Sequence, residues 1–382
     1  MSEIPIRGSI TCLNHVIFEA VLIRPKRLIY SGLMVDQDLS LFRDTAPLFS
    51  VTEFGAPMPD ADRLWQAKNA QEWSALFDEV HQFSGGYSAL GSGKRPKPLR
   101  DLFRHFLDDE IIAQDIQLTP LHLRLLLHPL QCLVHQCCQL LSCFSDVTGA
   151  RQRTRAVTAA STRGQLEEVQ GLLRRWYGLA DRYMKGSAMC PLMQGNLVLF
   201  HLISLNAVTN FPEVERLARK EGFDGSYAQL AWLHKRAIAD VEEAVFHCGQ
   251  VLRWIRSMPK DTRPPWWAGA VYRVALVLWV DSHTHNDAMG QAATATVPTT
   301  GLFPVPGPSF AVDALPPEHP LITRYLQKRE GVPTLTKRDG SQIPLDHPFT
   351  VLSHCVDVID EGVATRFTDG IRNKLERLAR GG

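Results

Sequence analysis

A short polar stretch, "DSHTHND" from Asp281 to Asp287, contains residues that can bind a metal ion. His283 and His285 are separated by one residue, are flanked by acids and follow the apolar run "VYRVALVLWV". A β-strand that ends in His-x-His beside carboxylates can hold a zinc ion, which turns a bound water into a nucleophile at neutral pH. The stretch therefore raises the hypothesis of a zinc-dependent hydrolase.

A second set of metal-ligand residues lies in an apolar segment, where His128, Cys132 and His135 are four and three residues apart. On a helix this spacing places the three side chains on one face. Cys is among the most buried residue types, and the segment is apolar all round, so the pattern is more typical of a structural core. The sequence also has no Cys-x-x-Cys pair and no phosphate-binding loop. We therefore expect no metal and no other cofactor.

Three residues have side chains suited to acid–base catalysis. Glu243 and His247 are four residues apart in "VEEAVFHCG", which on a helix allows either a hydrogen-bonded acid–base pair or an ordinary surface contact. Asp281 precedes the two histidines of the first stretch. No G-x-S-x-G nucleophile elbow occurs in the sequence. Glu243, His247 and Asp281 are the catalytic candidates if the protein is an enzyme.

Composition limits the classes of protein to which these residues can belong. The 382 residues are 45% hydrophobic and 21% charged, which is typical of one large globular domain or two. The formal net charge of +1 disfavours direct binding to nucleic acid or to an acidic membrane. The beginning "MSEIPIRGSI" lacks the pattern of a signal peptide, so we expect a soluble intracellular protein whose eight cysteines are reduced.

The elements that must position these residues are helices, because apolar residues recur at three- and four-residue spacing along most of the chain. The fold class is therefore all-α, a bundle-like domain of many helices with a Pro-rich loop and one small β-hairpin at Asp339-Gly340. We expect a main helical domain over 1–296, a Pro-rich crossing loop over 297–320 and C-terminal helices over 321–382 that pack on the same domain. Helices are predicted after the N-caps Asn69 and Thr119, and over 161–185, 191–210, 212–220, 226–258, 266–283, 348–361 and 365–380.

This helical prediction argues against the zinc hydrolase. The chain after Asp287 is too short for the strands and helices that would complete a (β/α)₈ barrel. The segment "RPPWWAGAVYRVALVLW" begins with two prolines and has helical spacing, which suits a buried helix better than a strand. We therefore expect His283 and His285 to lie at a fraying helix end.

Several phrases of the sequence, taken as a set, carry a family resemblance. They include "PLFSVTEFGAPMPDADRLWQAKNAQEW", "FHLISLNAVTNFPEVERLAR", "EEAVFHCGQVLRWIRSMPKDTRPPWWAGAVYRVALVLWVDS" and "PFTVLSHCVDVIDEGVATRFTDGIRNKLERL". The sequence resembles the fungal-specific transcription factor domain, the helical regulatory region of fungal regulators, in the subtype that follows zinc fingers. The resemblance extends from about Thr11 to Leu378. It implies an all-helical domain that binds effectors or regulatory proteins in the nucleus.

Aromatic and arginine side chains cluster in the segment where this resemblance is strongest. They either pack and pair at the edge of the core or, if the helices leave a cavity, form a ligand-binding site. The ligand-binding candidates are Trp254, Arg263, Trp266, Trp267, Arg273 and Trp279.

The zinc fingers of that subtype have no counterpart in these 382 residues. Three explanations stay open: the sequence is a piece of a longer regulator, the protein is a finger-less relative that acts through partners, or the helical scaffold has another function. That other function would be a metal-independent small-molecule enzyme of fungal secondary metabolism, with acid–base or cyclase-like chemistry in a helical pocket and a cytoplasmic location. For the regulator we expect a small-molecule effector or a regulatory protein as partner, homodimers, and no contact of this chain with DNA or membrane.

Overall fold

The structure is a computed structural model that describes residues 26–60, 62–83, 97–114, 116, 118–145, 152–219, 234–294 and 307–380. Helix α1 covers 26–43 and α10 covers 234–237. The other helices are α2 (Asp62–Gln66), α3 (Ala70–Phe83), α4 (Leu99–Leu107), α5 (Glu110–Ala113), α6 (Pro120–Ser145), α7 (Gln152–Gly186), α8 (Pro191–Val208), α9 (Phe211–Ala218), α11 (Val241–Ser257), α12 (Trp267–Thr294), α13 (Pro320–Lys328), α14 (Pro348–Asp360) and α15 (Arg366–Arg380). The three strands are β1 (Ser309–Ala311), β2 (Val332–Thr336) and β3 (Gln342–Pro344). The predicted all-α class with a small β element is confirmed.

The chain forms two compact units. The first comprises Met1–Cys132 and Arg174–Ala188, and the second comprises Leu133–Leu173 and Met189–Gly382.

A buried tyrosine on α1 joins three parts of the first unit. The Tyr30 hydroxyl donates a hydrogen bond to the Ala56 carbonyl (2.7 Å) and accepts one from the Leu99 amide (3.3 Å). Burial raises the pKa of Tyr30 to about 12, so the hydroxyl keeps its proton at any physiological pH. One side chain thus links α1, the segment before α2 and the first turn of α4.

Both predicted N-caps lie at helix starts. The Asn69 side chain accepts a hydrogen bond from the Glu72 amide (2.9 Å) before α3, and the Thr119 hydroxyl accepts one from the His122 amide (3.3 Å) at the start of α6. These bonds satisfy backbone donors that the first turn of a helix leaves unpaired. Helix α6 then continues through Pro129 without interruption.

Helix α7 is long, and buried residues form a stripe along one of its sides with the spacing of a heptad repeat. The buried residues of its part in the second unit are Ala159, Thr162, Leu166, Val169 and Leu173, at intervals of three and four. Such a stripe keeps one side of a helix against its neighbours over many turns.

Helix α8 is the central helix of the second unit, and it packs mainly against α11. Most of its residues from Met193 to Val208 are buried, and it has no polar face. By length and hydropathy alone α8 could cross a membrane, but 78% of it is buried inside the protein. We therefore interpret α8 as a core helix.

The predicted single helix over 226–258 is wrong in its described part. Helix α10 ends at 237, Ile238 pairs with Thr209 in an isolated antiparallel bridge, and α11 begins at Val241. The Asp240 side chain accepts a hydrogen bond from the Glu243 amide (3.0 Å) and so caps α11. An N-cap residue has extended rather than helical backbone angles. Because Asp240 caps α11 in this conformation, the helix that precedes it cannot continue through this residue. Residues 220–233 lie outside the described residues.

The predicted hairpin is confirmed, and a third strand extends it. Strands β2 and β3 are antiparallel, with Leu335 opposite Ile343, and the turn between them contains Gly340 at φ 83°. A left-handed conformation at this position favours glycine. Strand β1 pairs in parallel with the other edge of β2, with Phe310 opposite Pro333.

Candidate functional site

The candidate ligand-binding residues lie on or near a helical hairpin formed by α11 and α12. Helix α11 ends at Ser257, α12 begins at Trp267, and the two helices pack against each other as the short connection predicts. Trp267 and Trp279 are each only 6% exposed, and Arg273 is 2% exposed. These three side chains are therefore part of the packed interior.

Trp267 is enclosed by residues from two directions. The Arg263 guanidinium lies 4.8 Å from the centre of its ring, a distance suited to a cation–π contact. On another side the ring lies so close to Gly362, just after α14, that a Cβ atom at this glycine would overlap Cζ2 and Cη2. Glycine at 362 is therefore required by the close approach of the indole.

Arg263 is cationic but incompletely hydrogen-bonded. Its Nε and Nη1 atoms are buried and have no hydrogen-bond partner in the described structure. Burial lowers the pKa of Arg263, and the nearby carboxylate of Glu361 acts in the opposite direction. Two donors of a charged group thus lack an acceptor, at a site beside an aromatic ring.

Trp254 and Trp266 are half-buried, whereas Trp267 and Trp279 are buried. The Arg253 guanidinium lies 5.0 Å from the centre of the Trp254 ring, and its Nη1 donates to Gln250 Oε1 (3.1 Å). The indole nitrogen of Trp254 is buried and has no hydrogen-bond partner in the described structure. A buried indole N–H usually finds an acceptor, so Trp254 adds another donor without one.

The other two candidates occupy different surroundings. Arg273 donates from Nη1 to Asn206 Oδ1 on α8 (3.0 Å), and its guanidinium lies 4.0 Å from the centre of the Phe211 ring. The Trp279 ring meets the His283 ring edge to face at 4.7 Å. Arg273 and Trp279 thus serve packing between helices of the second unit.

The segment from β1 to β2 is held against α11 by a buried carboxylate. Asp313 has no exposed side-chain surface and accepts hydrogen bonds from Arg256 Nη1 (3.1 Å) and from the amide and hydroxyl of Thr336. Burial raises the pKa of Asp313, while Thr336 and Arg256 favour the charged form. Gln250 Nε2 also donates to the Val312 and Leu315 carbonyls. Helix α11 is thus clamped to a distant part of the sequence through the Asp313 carboxylate and two backbone carbonyls.

The three catalytic candidates have separate partners. Asp281 lies 3.2 Å from Nε2 of His234, and Glu243 lies in the first turn of α11. His247 Nδ1 lies 2.9 Å from Nδ1 of His201 on α8. Burial lowers the pKa of His247 to about 3, far below the range near neutrality in which imidazole is an effective general base.

The His201–His247 pair is a buried contact between neutral rings. Burial lowers the pKa of His201 well below its ordinary value, and the neighbouring His247 and Arg253 act in the same direction. One ring must carry its proton on Nδ1 and donate it, while the other accepts on Nδ1. Phe200 and Phe246 contact the pair edge-on or tilted, so its surroundings are aromatic.

This pair predicts an acid-sensitive fold. In the unfolded chain each imidazole binds a proton below about pH 6.5, whereas the buried rings do not until far lower pH. The two neutral rings therefore make their full contribution to the free energy of unfolding above about pH 6.5, and this contribution declines as the pH falls below that value. His247→Gln should reduce the loss of unfolding free energy between about pH 7.5 and 5.0 by about 2 kcal/mol, measured by denaturant titration. Equal losses in wild type and His247→Gln would contradict the prediction.

The first metal-ligand hypothesis loses its structural premise. Helix α12 continues to Thr294, so His283 and His285 lie within a helix and neither after a strand nor at a fraying helix end. The side chain of His285 lies outside the described residues. The sequence predicted that this helix ends at His283, which is too early. The apolar periodicity on which the prediction rests becomes weak after Asp281, although the helix continues to Thr294.

The second metal-ligand hypothesis concerns α6. His128 Nε2 lies 3.7 Å from Asp36, and Cys132 Sγ lies 3.8 Å from His128 Nδ1. Burial lowers the pKa of His128 to about 4 and raises the pKa of Cys132 to about 12, so the thiol is not a ready nucleophile or metal ligand. Among residues whose side chains are described, no group of three or more His, Cys, Asp or Glu is arranged to hold a metal.

Three residues of this region were not found from the sequence. His201 lies on a largely apolar helix, Asp313 in a Pro-rich stretch, and Gly362 in a helix-ending turn. Each matters through a partner distant in the sequence, as His201 does through His247, 46 residues away. The only sequence signal was a polar residue in an apolar setting for His201.

Comparison with known proteins relates the chain to fungal transcription factors. A transcription factor from Zymoseptoria tritici is 65% identical over 368 residues, which are 93% of this chain and 37% of that protein. Transcription factor 1 from Elsinoe fawcettii is 53% identical over 93% of this chain and 36% of its own length. Transcription factor PfmaH from Pestalotiopsis fici is 36% identical over 92% of this chain and 35% of its own length. The chain thus spans little more than a third of these relatives.

No protein-family model matches the chain. No solved structure matches it. The named relatives support a transcription factor family.

Proposed function

We propose that this chain is the regulatory region of a fungal transcription factor, and that it binds an effector or a regulatory protein rather than DNA. The observation that carries this proposal is the extent of the similarity, which covers 92–93% of the chain in transcription factors from four fungi. Sequence similarity over nearly the whole chain, and not one short motif, relates this chain to regulators. Its place of action is the nucleus, and its partners include a second copy of the chain.

The charge of the chain supports a regulatory role. DNA-binding proteins neutralise several phosphates with Lys and Arg and usually carry a basic surface. This chain has a formal net charge of +1, from 41 basic and 40 acidic residues. Reading of DNA by this domain is therefore not favoured by its electrostatics.

The surroundings of Arg263 suggest the chemistry of an effector. Arg263 Nε and Nη1 and the Trp254 indole nitrogen are buried donors without acceptors in the described structure. A donor left unsatisfied in the interior costs about 1–3 kcal/mol, which an incoming oxygen acceptor would recover. A carboxylate oxygen is a strong acceptor for the donor of a charged guanidinium, so we propose an acidic small molecule at Arg263.

A reporter assay tests the regulatory role. The chain is fused to a DNA-binding module of known specificity and expressed in a fungal cell with the matching reporter. We expect transcription to differ from that given by the module alone. Arg263→Gln should remove any effector response while the protein stays folded, whereas the exposed Arg324→Gln should change neither the response nor the melting temperature. Reporter output equal to that of the module alone, with the fusion shown to be folded, would refute the proposal.

The isolated chain should bind duplex DNA weakly. Because its charge is nearly balanced, we expect only salt-sensitive binding with no preferred sequence. Electrophoretic mobility shifts at physiological salt measure this. A tenfold preference for one duplex, about 1.4 kcal/mol, would show that this chain contains a DNA-reading surface.

A further inference from the structure

Helix α1 has an exposed apolar face in addition to the face that it buries. Leu28, Val35 and Leu39 are 75%, 55% and 46% exposed, and Gly32, also exposed, lies between the first two. Intervals of four, three and four residues place these four positions on one side of the helix, which we call the α1 face. Such an apolar surface usually marks a contact with another molecule.

A neighbouring loop extends the α1 face. The Asp36 carboxylate accepts hydrogen bonds from the amides of Leu48 (3.0 Å) and Phe49 (3.4 Å). Asp36 is itself buried, so these bonds hold the loop beside α1 while the Leu48 side chain stays 83% exposed. Apolar surface that is already held in place loses little conformational entropy when a partner binds, which favours association.

Gly32 is the unusual member of the α1 face. A Cβ atom placed there would meet nothing within 4 Å, so nothing in the described fold requires a glycine at this position. Glycine weakens a helix interior relative to alanine and is useful where another backbone approaches closely. Gly249 on α11 shows that use, since its Cβ would lie 2.6 Å from the Val312 carbonyl oxygen. The α1 face therefore has the composition of a close helix contact.

The order of residues along the α1 face indicates what packs on it. The intervals of four, three and four are the same in both chain directions, so two copies of α1 can pair antiparallel about a point between Gly32 and Val35. Leu28 of one copy then faces Leu39 of the other, and Gly32 faces Val35. A two-fold interface requires a surface that is complementary to itself, and this pairing places a branched side chain over each glycine.

The area of this surface suits a dimer. Leu28, Val35, Leu39 and Leu48 together expose on the order of 400 Å² of apolar surface. A stable interface buries about 800 Å² on each partner, and somewhat more than half of this area is non-polar. The α1 face and Leu48 therefore provide the apolar part of a standard interface, with the surrounding polar side chains as its rim.

We propose that the α1 face is the homodimer interface of this protein, with two copies of α1 packed antiparallel and Val35 of each copy over Gly32 of the other. This inference rests on the second copy that the proposed function includes among the partners, and it adds the surface, the orientation and the register. The backbones approach closely at the two glycines. The leucine pairs at both ends exclude water from that contact.

The mass of the full 382-residue chain in solution tests the surface. Light scattering at micromolar concentration should give the mass of two chains. Val35→Glu puts two carboxylates at the centre of the interface, so we expect the mass of one chain with an unchanged circular dichroism spectrum. Val363 is a matched control because it is also a valine that is 55% exposed, in the connection between α14 and α15. Val363→Glu should remain a dimer.

Two charged variants test the antiparallel register. Leu28→Lys and Leu39→Glu should each be monomeric alone, because a charged side chain then faces a leucine at both ends of the pair. An equal mixture of the two should regain the mass of a dimer. In the mixed pair the two introduced charges of opposite sign meet at one end and two leucines meet at the other. A parallel pair would bring no opposite charges together.

The outcomes separate this interface from the function on which it rests. A wild-type dimer that persists with Val35→Glu, or a mixture of the two charged variants that stays monomeric, would overturn the proposed interface but not the dimer. A monomeric wild-type chain would overturn both the interface and the dimer. The reporter assay measures the regulatory role independently of all three results.

Discussion

Replacing Trp267 with alanine should lower the free energy of unfolding by about 3–5 kcal/mol, the usual cost of emptying a buried aromatic site. The ring is 6% exposed, lies against Gly362 and is covered by Arg263. Its removal would leave a cavity at the junction of the α11–α12 connection and the end of α14. Denaturant titration with a common m-value measures the difference.

Two variants separate packing from other effects of this change. Trp266→Ala removes the same amount of side chain from a less buried neighbour and should cost clearly less. Gly362→Ala tests the same contact from the other side and should destabilise because its methyl overlaps the indole. If Trp267→Ala melts like the wild type but loses a response to an acidic effector, the ring belongs to a ligand site rather than to the core.

Replacing Asp313 with alanine should cost about 3–5 kcal/mol, because breaking a buried ion pair leaves the other groups unsatisfied. The change would remove the acceptor of Arg256 and of two donors of Thr336. The β1–β2 segment would lose its buried ion pair with α11. Equilibrium unfolding in urea near neutral pH measures the loss.

Graded controls accompany this variant. Asp313→Asn retains an oxygen acceptor without the charge and should cost less than alanine. Arg380→Ala breaks a surface pair with Glu376, in which Arg380 is 75% exposed, and should cost less than about 1 kcal/mol. An Asp313→Ala protein as stable as Arg380→Ala would mean that the carboxylate does not hold the segment.

Periodicity predicted most of the helices because a buried helix face repeats every three to four residues. The α11–α12 hairpin is an example, with α11 ending at Ser257 and α12 beginning at Trp267. The break before Val241 was missed, because a helical pattern runs across it and only the Thr209–Ile238 bridge shows that the chain is extended there. Strand β1 was missed because three residues are too few to show alternation.

The candidate site was less predictable than the fold. The sequence indicated a segment rich in Trp and Arg, but it contained no information on which rings are enclosed by distant residues. Gly362 against Trp267 and His201 against His247 depend on tertiary packing between helices far apart in the chain. Local sequence determines local backbone, whereas such contacts follow from the way helices pack.

The hydrogen bonds of Arg256 on α11 to Asp313 and Thr336 cannot form until those later residues have been synthesised. The Thr336 carbonyl that accepts a hydrogen bond from Arg256 is 80 residues further along the chain. At the usual rate of translation of about 5–20 residues per second, α11 waits about 4–16 s for that partner to be made. During this interval the side of α11 that the β1–β2 segment later covers is accessible to water and to chaperones. A nonsense codon anywhere in this stretch would give a truncated chain that lacks the Thr336 partner of Arg256, so this side of α11 would stay uncovered.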